Sequence, residues 1–180
     1  MAATRRSRLA EPPLGTGSAP DNGNATAREL DFGALRGIAG FHLARATVTA
    51  MDAFERHIGE PFQLHKVDFS ALTLLDANPG ASPKQLALAL DIAAPKLTAL
   101  LDRLQQRGLL ERRPNPADGR SQCLVLTRRG QQLARDAAAA SRPMEDEMRT
   151  RLSAAEHAML IELLAKLARG GASGGTSGGS

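Results

Sequence analysis

The stretch from Ser82 to Arg107 constrains the fold more than any other part of the chain, because it encodes two short helices with a tight connection between them. Ser82 supplies an N-cap hydroxyl, Pro83 occupies the first helical position, and Gln85 stands where a capping box needs a glutamine. The connection Asp91-Ile92-Ala93 follows, and the second helix fills the rest of the stretch. Apolar residues at helical spacing give each helix one inner face; they are Leu86, Ala87, Leu90, Leu97, Leu100, Leu101 and Leu104. This pattern predicts a helix-turn-helix unit.

The composition favours helices in the rest of the chain as well. Leu and Ala supply most of the 42% hydrophobic residues, Trp and Tyr are absent, and Phe is the only aromatic residue type. Residues that favour strands are therefore scarce, whereas helix formers are abundant. At 180 residues the chain is the size of one domain, or of one domain with an appendage, and it can bury a core. We predict a mainly α fold with a small β element.

A short hairpin is predicted directly after the second helix. Gly108 ends that helix, and the runs Leu109–Arg113 and Gln122–Leu126 indicate two strands around a turn rich in proline, asparagine and aspartate. Three arginines cluster where neither core packing nor helix stability requires them; they are Arg112, Arg113 and Arg120. Arginines on a thin ribbon suit a narrow minor groove of DNA. Asp118 is spaced to brace Arg120 through a charge-assisted hydrogen bond.

Amphipathic helices flank this unit on both sides. An apolar stripe over Leu35–Ile58 predicts one long helix that stops near Gly59 and Pro61, and Val67–Asp76 predicts a shorter one. Thr127 is predicted to cap a long helix that begins near Arg128, and a closing helix follows with its own capping box at Ser153-Ala154-Ala155-Glu156. The apolar faces of these end helices exceed what the small central unit can cover. We therefore expect them to pack on a second copy in an intertwined C2 homodimer.

These patterns divide the chain into five segments. Both ends are rich in small and polar residues without a hydrophobic period, which predicts tails without fixed structure. The predicted segments are a disordered N-terminal tail at 1–29, an N-terminal dimerisation helix at 30–61, a winged helix-turn-helix domain at 62–127, C-terminal dimerisation helices at 128–169 and a flexible Gly/Ser tail at 170–180.

The sequence carries no sign of secretion or of a membrane span. Cys123 is the only cysteine, so no intrachain disulfide forms. The first twenty residues contain arginines but lack the apolar core of a signal peptide. No apolar run approaches the roughly 20 residues that a membrane span needs. We expect a cytoplasmic, nucleoid-associated protein.

Positive charge is concentrated in the middle of the chain. Residues 81–130 carry nine Lys and Arg against four Asp and Glu, a net charge of +5, whereas the remaining residues sum to −1. A basic middle between near-neutral ends predicts one surface that faces a polyanion such as duplex DNA. The predicted DNA-binding residues lie on the outer faces of the two helices and on the hairpin; they are Ser82, Lys84, Gln85, Pro95, Lys96, Thr98, Ala99, Arg103, Gln106, Arg112, Arg113, Asp118, Arg120 and Ser121.

Several motifs in this region resemble the MarR family of transcriptional regulators. They are Pro79-Gly80, Ser82-Pro83-Lys84-Gln85-Leu86-Ala87, Lys96-Leu97-Thr98-Ala99-Leu100-Leu101-Asp102-Arg103-Leu104, Arg107-Gly108-Leu109-Leu110-Glu111-Arg112, Asp118-Gly119-Arg120 and Leu124-Val125-Leu126-Thr127. The resemblance covers roughly residues 35–169. It implies a dimer with two winged helix-turn-helix lobes that represses transcription, with operator binding relieved by a phenolic or other aromatic ligand. It also implies that Arg120 contacts the minor groove.

The chain departs from the family at the reading end of the second helix. Ala93, Ala94 and Ala99 stand where many relatives carry polar or arginine side chains. We therefore expect few direct contacts to bases, with groove shape and contacts to the DNA backbone supplying the rest of the recognition. The side chains left for direct contacts are Lys96, Thr98 and Gln106.

A ligand site is predicted between the first two helices. An arginine and histidines beside an apolar cleft suit an aromatic carboxylate. The resemblance likewise places effectors between the dimer helices and the DNA-binding lobe. The predicted ligand residues are His42, Arg45, Thr49, His65, Asp68, Phe69 and Leu72. The alternative is a solvated helix face with salt bridges at a dimer interface.

The sequence leaves other functions open. His57 and His65 suggest a metal-responsive regulator, but the spacings typical of metal sites are absent, and we predict no metal and no cofactor. Cys123 suggests a redox-responsive regulator, although a lone cysteine on a strand is more often packing. A helical protein-interaction module with a basic ribbon is a further alternative. No phosphate-binding loop, nucleophile elbow or carboxylate pair is present, so we predict no enzyme.

Overall fold

The computed structural model describes residues 30–115 and 118–171, without the side chains of residues 116–120 and 170–171. It forms two compact units that divide after Ile38, and each is described by itself. The predicted tail at residues 1–29 lies outside the described residues, and so does the predicted C-terminal tail beyond Gly171.

The first unit contains a short 3₁₀ helix at Gly33–Gly37. Asp31 accepts a hydrogen bond from its first backbone amide at 3.0 Å and pairs with Arg36 at 2.8 Å. Ile38 then takes an extended backbone conformation. The prediction of one long helix starting at Leu35 is therefore wrong, because the apolar pattern continues where the helical backbone does not.

The second unit begins with α1 (Ala39–Phe54), which continues through a π-helical turn (Glu55–Gly59) into the short α2 (Glu60–Phe62). Gln63 ends this run in the left-handed region, with φ at 53°. The run therefore ends at Phe62, one residue after Pro61 and close to the predicted stop. Proline inside a regular α-helix collides with the carbonyl four residues earlier. The π turn directly before Pro61 widens the helix where this collision would occur.

Three further helices form the compact middle of the chain: α3 (Lys66–Ala77), α4 (Pro83–Leu90) and α5 (Ala94–Gln106). The capping box of α4 is present as predicted. Ser82 Oγ accepts a hydrogen bond from the Gln85 amide at 3.3 Å, and Gln85 Oε1 accepts one from the Ser82 amide at 2.8 Å. Three residues join α4 to α5. The predicted helix-turn-helix unit is confirmed.

Strands β1 (Leu110–Asn115) and β2 (Asp118–Leu126) pair antiparallel and form a hairpin, here called the wing. Both strands extend further toward the tip than predicted, because the pairing continues past Pro114. The base of the wing is tied to the turn before α4, since the Leu124 amide donates a hydrogen bond to the Ala81 carbonyl at 2.9 Å. The wing is therefore anchored to the helix-turn-helix unit by backbone as well as by side chains.

The chain ends with α6 (Arg128–Arg149) and α7 (Ala154–Gly171). Thr127 caps α6 as predicted, because its Oγ1 accepts a hydrogen bond from the Gly130 amide at 3.0 Å. The predicted capping box of α7 is present too, with Ser153 as its N-cap residue. Within the described residues, no helix is both long and apolar enough to cross a membrane.

One hydrophobic core joins the π turn, α3, α4, α5, the base of the wing and the first half of α6. Its buried residues are Phe54, Ile58, Leu64, Ala71, Leu72, Leu75, Leu86, Leu97, Leu100, Leu101, Leu104, Leu109, Leu110, Leu124, Leu126, Ala134 and Ala137. Most of α1 and the described side chains of α7 stay outside this core. The predicted fold class, mainly α with a small β-wing, is confirmed.

Candidate DNA-binding surface

The buried leucines of α5 fix the rotation of this helix, so its opposite face points to solvent. Four leucines, at positions 97, 100, 101 and 104, lie in the core. The exposed face carries Pro95, Lys96, Thr98, Ala99, Asp102 and Gln106. Five of these six were predicted to bind DNA. The structure therefore presents one short, mostly polar helix face with a single carboxylate in it.

The polar groups of α4 are partly committed to its own N-terminus. Ser82 and Gln85, both predicted DNA contacts, hold the capping box, and the Ser82 hydroxyl also donates to Gln85 Oε1 at 2.9 Å. Lys84, between them, is exposed. On α5 the Thr98 hydroxyl donates to the Ala94 carbonyl at 3.1 Å, which leaves the oxygen of that hydroxyl as an acceptor.

Arg103 points away from the exposed face of α5 and binds Asp68 of α3. Its guanidinium donates to both carboxylate oxygens, with an Nε to Oδ2 distance of 3.3 Å. Asp68 is fully buried, and it also accepts a hydrogen bond from the His65 amide at 3.3 Å. The carboxylate of Asp68 is therefore satisfied within the chain. The structure gives both residues, one predicted for DNA and one for a ligand, an internal role.

Arg107 ties the C-terminal end of α5 to the end of α2. Its guanidinium donates to the Gln63 carbonyl at 2.7 Å and to the Phe62 carbonyl at 3.4 Å. Those carbonyls lie beside the left-handed residue that ends α2, where helix carbonyls lack intrahelical partners. Sequence reasoning missed this contact. The only available signal was an arginine at the end of a predicted helix.

The arginines of the wing divide into two groups. Arg112 binds Asp102 on the exposed face of α5, whereas Arg113 pairs with its strand neighbour Glu111 at 2.7 Å. The Arg112 side chain is 27% exposed and that of Arg113 is 58% exposed. Ser121, also predicted to contact DNA, is half-buried. The side chains of Asp118 and Arg120 lie outside the described residues.

The predicted ligand residues of α1 form an exposed group. The His42 ring meets the Phe41 ring edge-on, with centroids 5.4 Å apart, and the Arg45 guanidinium lies 5.7 Å from the centroid of the same ring. Thr49 follows one turn later and is exposed too. An aromatic ring, an imidazole and a guanidinium thus share one face of the first half of α1.

The predicted ligand residues of α3 lie elsewhere. Leu72 is fully buried in the core, and the Phe69 ring packs at 5.9 Å against the ring of Phe54 at the end of α1. His65 is exposed. At 1.5 Å per residue, His42 and Phe54 are separated by roughly 18 Å along α1. The structure therefore does not gather all seven predicted residues into one pocket within a single chain.

A network of ion pairs joins the π turn to the last turns of α6. Glu147 accepts hydrogen bonds from Arg56 and from His57, the latter at 3.1 Å. These bonds lower the pKa of the Glu147 carboxyl below its usual value, the Arg56 bond most of all. On the other side of the α6–α7 turn, His157 lies 3.0 Å from Glu145.

Two of the residues considered for metal and redox roles, His57 and Cys123, have contacts elsewhere in the chain. His57 is paired with Glu147, and no group of three potential metal ligands occurs in the part of the chain that the structure describes. Cys123 is buried on β2, with its Sγ 3.7 Å from the Pro114 carbonyl. Neither arrangement indicates a metal centre or a reactive thiol.

A shallow apolar groove of about 480 Å³ runs along the start of α7. It is lined by Leu152, Ala155, Glu156, Met159, Leu160 and Leu163. Further along α7, Ile161, Leu164 and Leu167 are exposed as well. An uncovered apolar face of this extent on one helix is typical of a protein interface.

A helix-turn-helix unit, an outward second helix and a two-stranded wing define the class of winged helix-turn-helix proteins. A model of the MarR family matches residues 62–121. A transcriptional regulatory protein for the hcr operon of Thauera aromatica is 35% identical over 147 residues, which cover 81% of this chain and 88% of that relative. The chain belongs to the MarR family of transcriptional regulators, as its motifs indicated.

Two solved structures of the repressor CouR are similar to the chain over nearly their whole length. CouR bound to a 23-mer DNA duplex is 35% identical, covers 78% of this chain and 99% of its own, and superposes with a TM-score of 0.72. CouR bound to p-coumaroyl-CoA is 34% identical over the same shares, with a TM-score of 0.69.

Proposed function

We propose that the chain is a homodimeric transcriptional repressor that binds a pseudo-palindromic operator and is released by an aromatic acyl effector. The observation that carries this proposal is the exposed face of α5 beside an arginine-bearing wing, on a fold shared with a repressor captured on DNA. Such a protein acts on the chromosome, in the cytoplasm. We assign it no catalytic residue.

In this proposal α5 lies in the major groove and the wing reaches the adjacent minor groove. Lys96 and Gln106 supply hydrogen bonds to base edges or phosphates, and the Ala99 methyl fits against a thymine methyl. Lys84 contacts a phosphate from α4. Arg113 and Arg120 of the wing face the minor groove, where the negative potential is enhanced.

We propose that a second copy covers the apolar face of α7. Seven large apolar residues of α7 and the turn before it line the groove or lie exposed beyond it. Burying them would contribute about 25 cal/mol per Å² of apolar area. In this division, residues 62–127 read DNA, and residues 30–61 and 128–169 hold the dimer together.

The effector class follows from chemistry and from the relatives. CouR has been captured with p-coumaroyl-CoA, an aromatic acyl thioester that carries phosphates. On α1, Arg45 and His42 offer positive and hydrogen-bonding groups beside the Phe41 ring. Phe69 and His65 offer a second set near the π turn. The effector would favour a dimer whose two lobes no longer match the operator spacing.

Selection of operators from a random 30-base-pair duplex library tests the DNA-binding part. We expect enrichment of an inverted repeat whose half-sites lie about 10 base pairs apart. Affinity should fall linearly on a plot of log K against log salt. A protein-interaction module with a basic ribbon would enrich no sequence, and that result would contradict the proposal.

The effector is tested on the selected duplex with p-coumaroyl-CoA, p-coumarate and CoA in separate arms. We expect release by an aromatic acyl compound and none by CoA, and the comparison of thioester with free acid identifies the form recognised. Arg45→Ala should weaken release by the effector without weakening operator binding. His65→Ala makes the same test of the second set of residues, near the π turn. Release by none of the three compounds would exclude this effector class.

A further inference from the structure

Arg112 was expected to contact DNA, yet its side chain turns toward the protein. It lies on β1 opposite Leu124, and its guanidinium binds the carboxylate of Asp102 on α5. Successive side chains of a strand point to opposite faces. Arg113, the next residue, is accordingly about twice as exposed and pairs along its own strand. The Arg112 Nε is buried, which places the stem of this arginine between wing and helix.

Asp102 occupies a sensitive position on α5. It lies on the exposed face between Ala99 and Gln106, where the proposed operator would approach. A carboxylate there would repel the phosphates of DNA unless a cation neutralises it. Arg112 supplies that cation from the wing.

The residue next to Asp102 is held from the other side. Arg103 binds the buried Asp68 of α3, so two consecutive residues of α5 are tied to two different elements. Rolling α5 about its axis would lengthen at least one of these ion pairs. The Arg103 pair thus holds α5 to α3, and the Arg112 pair holds the same part of α5 to the wing.

We propose that Arg112 is a positioning residue, which fixes the wing against α5 and neutralises Asp102, and that it does not contact DNA itself. This inference rests on the proposed operator binding. It separates the arginines of the wing into one that builds the surface and others that touch the operator.

A double-mutant cycle on the full-length protein and the selected duplex tests this assignment. We expect Arg112→Ala to weaken operator binding about tenfold when Asp102 is present, because a carboxylate is left uncompensated. In the Asp102→Asn background the same change should cost less than about threefold. Equal losses in the two backgrounds would identify a direct phosphate or base contact and overturn the proposal.

Arg113→Ala is the matched control, because it removes the same charge from the same strand. Its loss of affinity should be equal in the two Asp102 backgrounds. If Arg112→Ala lowers the melting temperature, Arg112→Gln replaces it, and its loss of affinity is compared in the same two Asp102 backgrounds. If the wild-type protein bound no duplex, the proposed function would be contradicted. If it bound the duplex but Arg112→Ala cost the same affinity in both Asp102 backgrounds, only this inference would be contradicted.

Footprinting gives a readout that general destabilisation would not produce. At saturating protein, Arg112→Ala should lose protection of the minor grooves where the wing lies and keep protection where α5 lies. Uniform loss along the operator would overturn the positioning role.

Discussion

The winged lobe, from α3 to β2, and the terminal helix α7 carry the same leucine pattern with opposite outcomes. On α5 the four patterned leucines are at most 6% exposed. On α7 the patterned leucines remain between 38% and 66% exposed. Helical periodicity therefore predicts which face is apolar, but not whether the same chain covers it. Where the chain leaves such a face open, a partner is the expected cover.

The two regions should differ in what stabilises them. The lobe gains its order from contacts within the chain, so its stability does not need a second copy. The stability of α7 should depend on protein concentration, because association stabilises only what it buries.

The largest effect on stability is expected when a leucine of the lobe is replaced by alanine. The same replacement on α7 is the comparison. Leu104→Ala, in the core of the lobe, should lower the free energy of unfolding by about 2–5 kcal/mol. Leu163→Ala, on the exposed face of α7, should change it by less than about 0.5 kcal/mol in dilute protein. Urea unfolding at two protein concentrations measures both.

Analytical ultracentrifugation of the same two variants completes that comparison. Leu163→Ala should weaken association of the chains, whereas Leu104→Ala should leave it unchanged once the protein is folded. Similar losses of stability from both changes at low concentration would show that α7 is covered within its own chain.

Local chemistry explains why much of the fold could be predicted. Ser82, Thr127 and Ser153 each bind a backbone amide three residues later, and that contact depends only on nearby residues. The hairpin and the apolar faces of the end helices followed from the sequence pattern, and the resemblance to a known family added the expected roles of the wing and of the dimer. The face of α5 that points outward also followed from spacing alone.

The roles of the arginines could not be predicted in the same way. Arg103 and its partner Asp68 are 35 residues apart in sequence, so a helical wheel places the arginine on a flank without showing what packs there. Such partners emerge only when the elements are packed together.

An intermediate effect is expected at the joint between the lobe and α6. Gly130 is buried on the first turn of α6, and a Cβ added there would lie 2.0 Å from the Leu109 carbonyl oxygen. Gly130→Ala should therefore destabilise the protein by about 1–3 kcal/mol, since backbone must move. Thermal unfolding measures the loss, with Gly37→Ala as control because nothing lies within 4 Å of its added Cβ. If Gly130→Ala and the wild type melted at the same temperature, the backbone at this contact would move without loss of stability.

The smallest effect is expected where the π turn meets the end of α6 and Glu147 binds Arg56 and His57. Because these bonds lower the pKa of Glu147 in the folded chain, the charged carboxylate favours folding above the usual value of 4.5. That contribution disappears as the pH falls through the lowered pKa. Glu147→Gln should therefore lower the melting temperature slightly near neutral pH and converge with the wild type in acid.

A control for this pH dependence lies within α7. Glu162 pairs with Lys166 at 2.6 Å inside one exposed helix, so Glu162→Gln removes a carboxylate that joins no separate elements. Melting temperatures between about pH 3 and pH 7 should converge for Glu147→Gln and show a smaller difference for Glu162→Gln. If the two variants behaved alike, the contact between the π turn and α6 would contribute nothing beyond an ordinary surface pair.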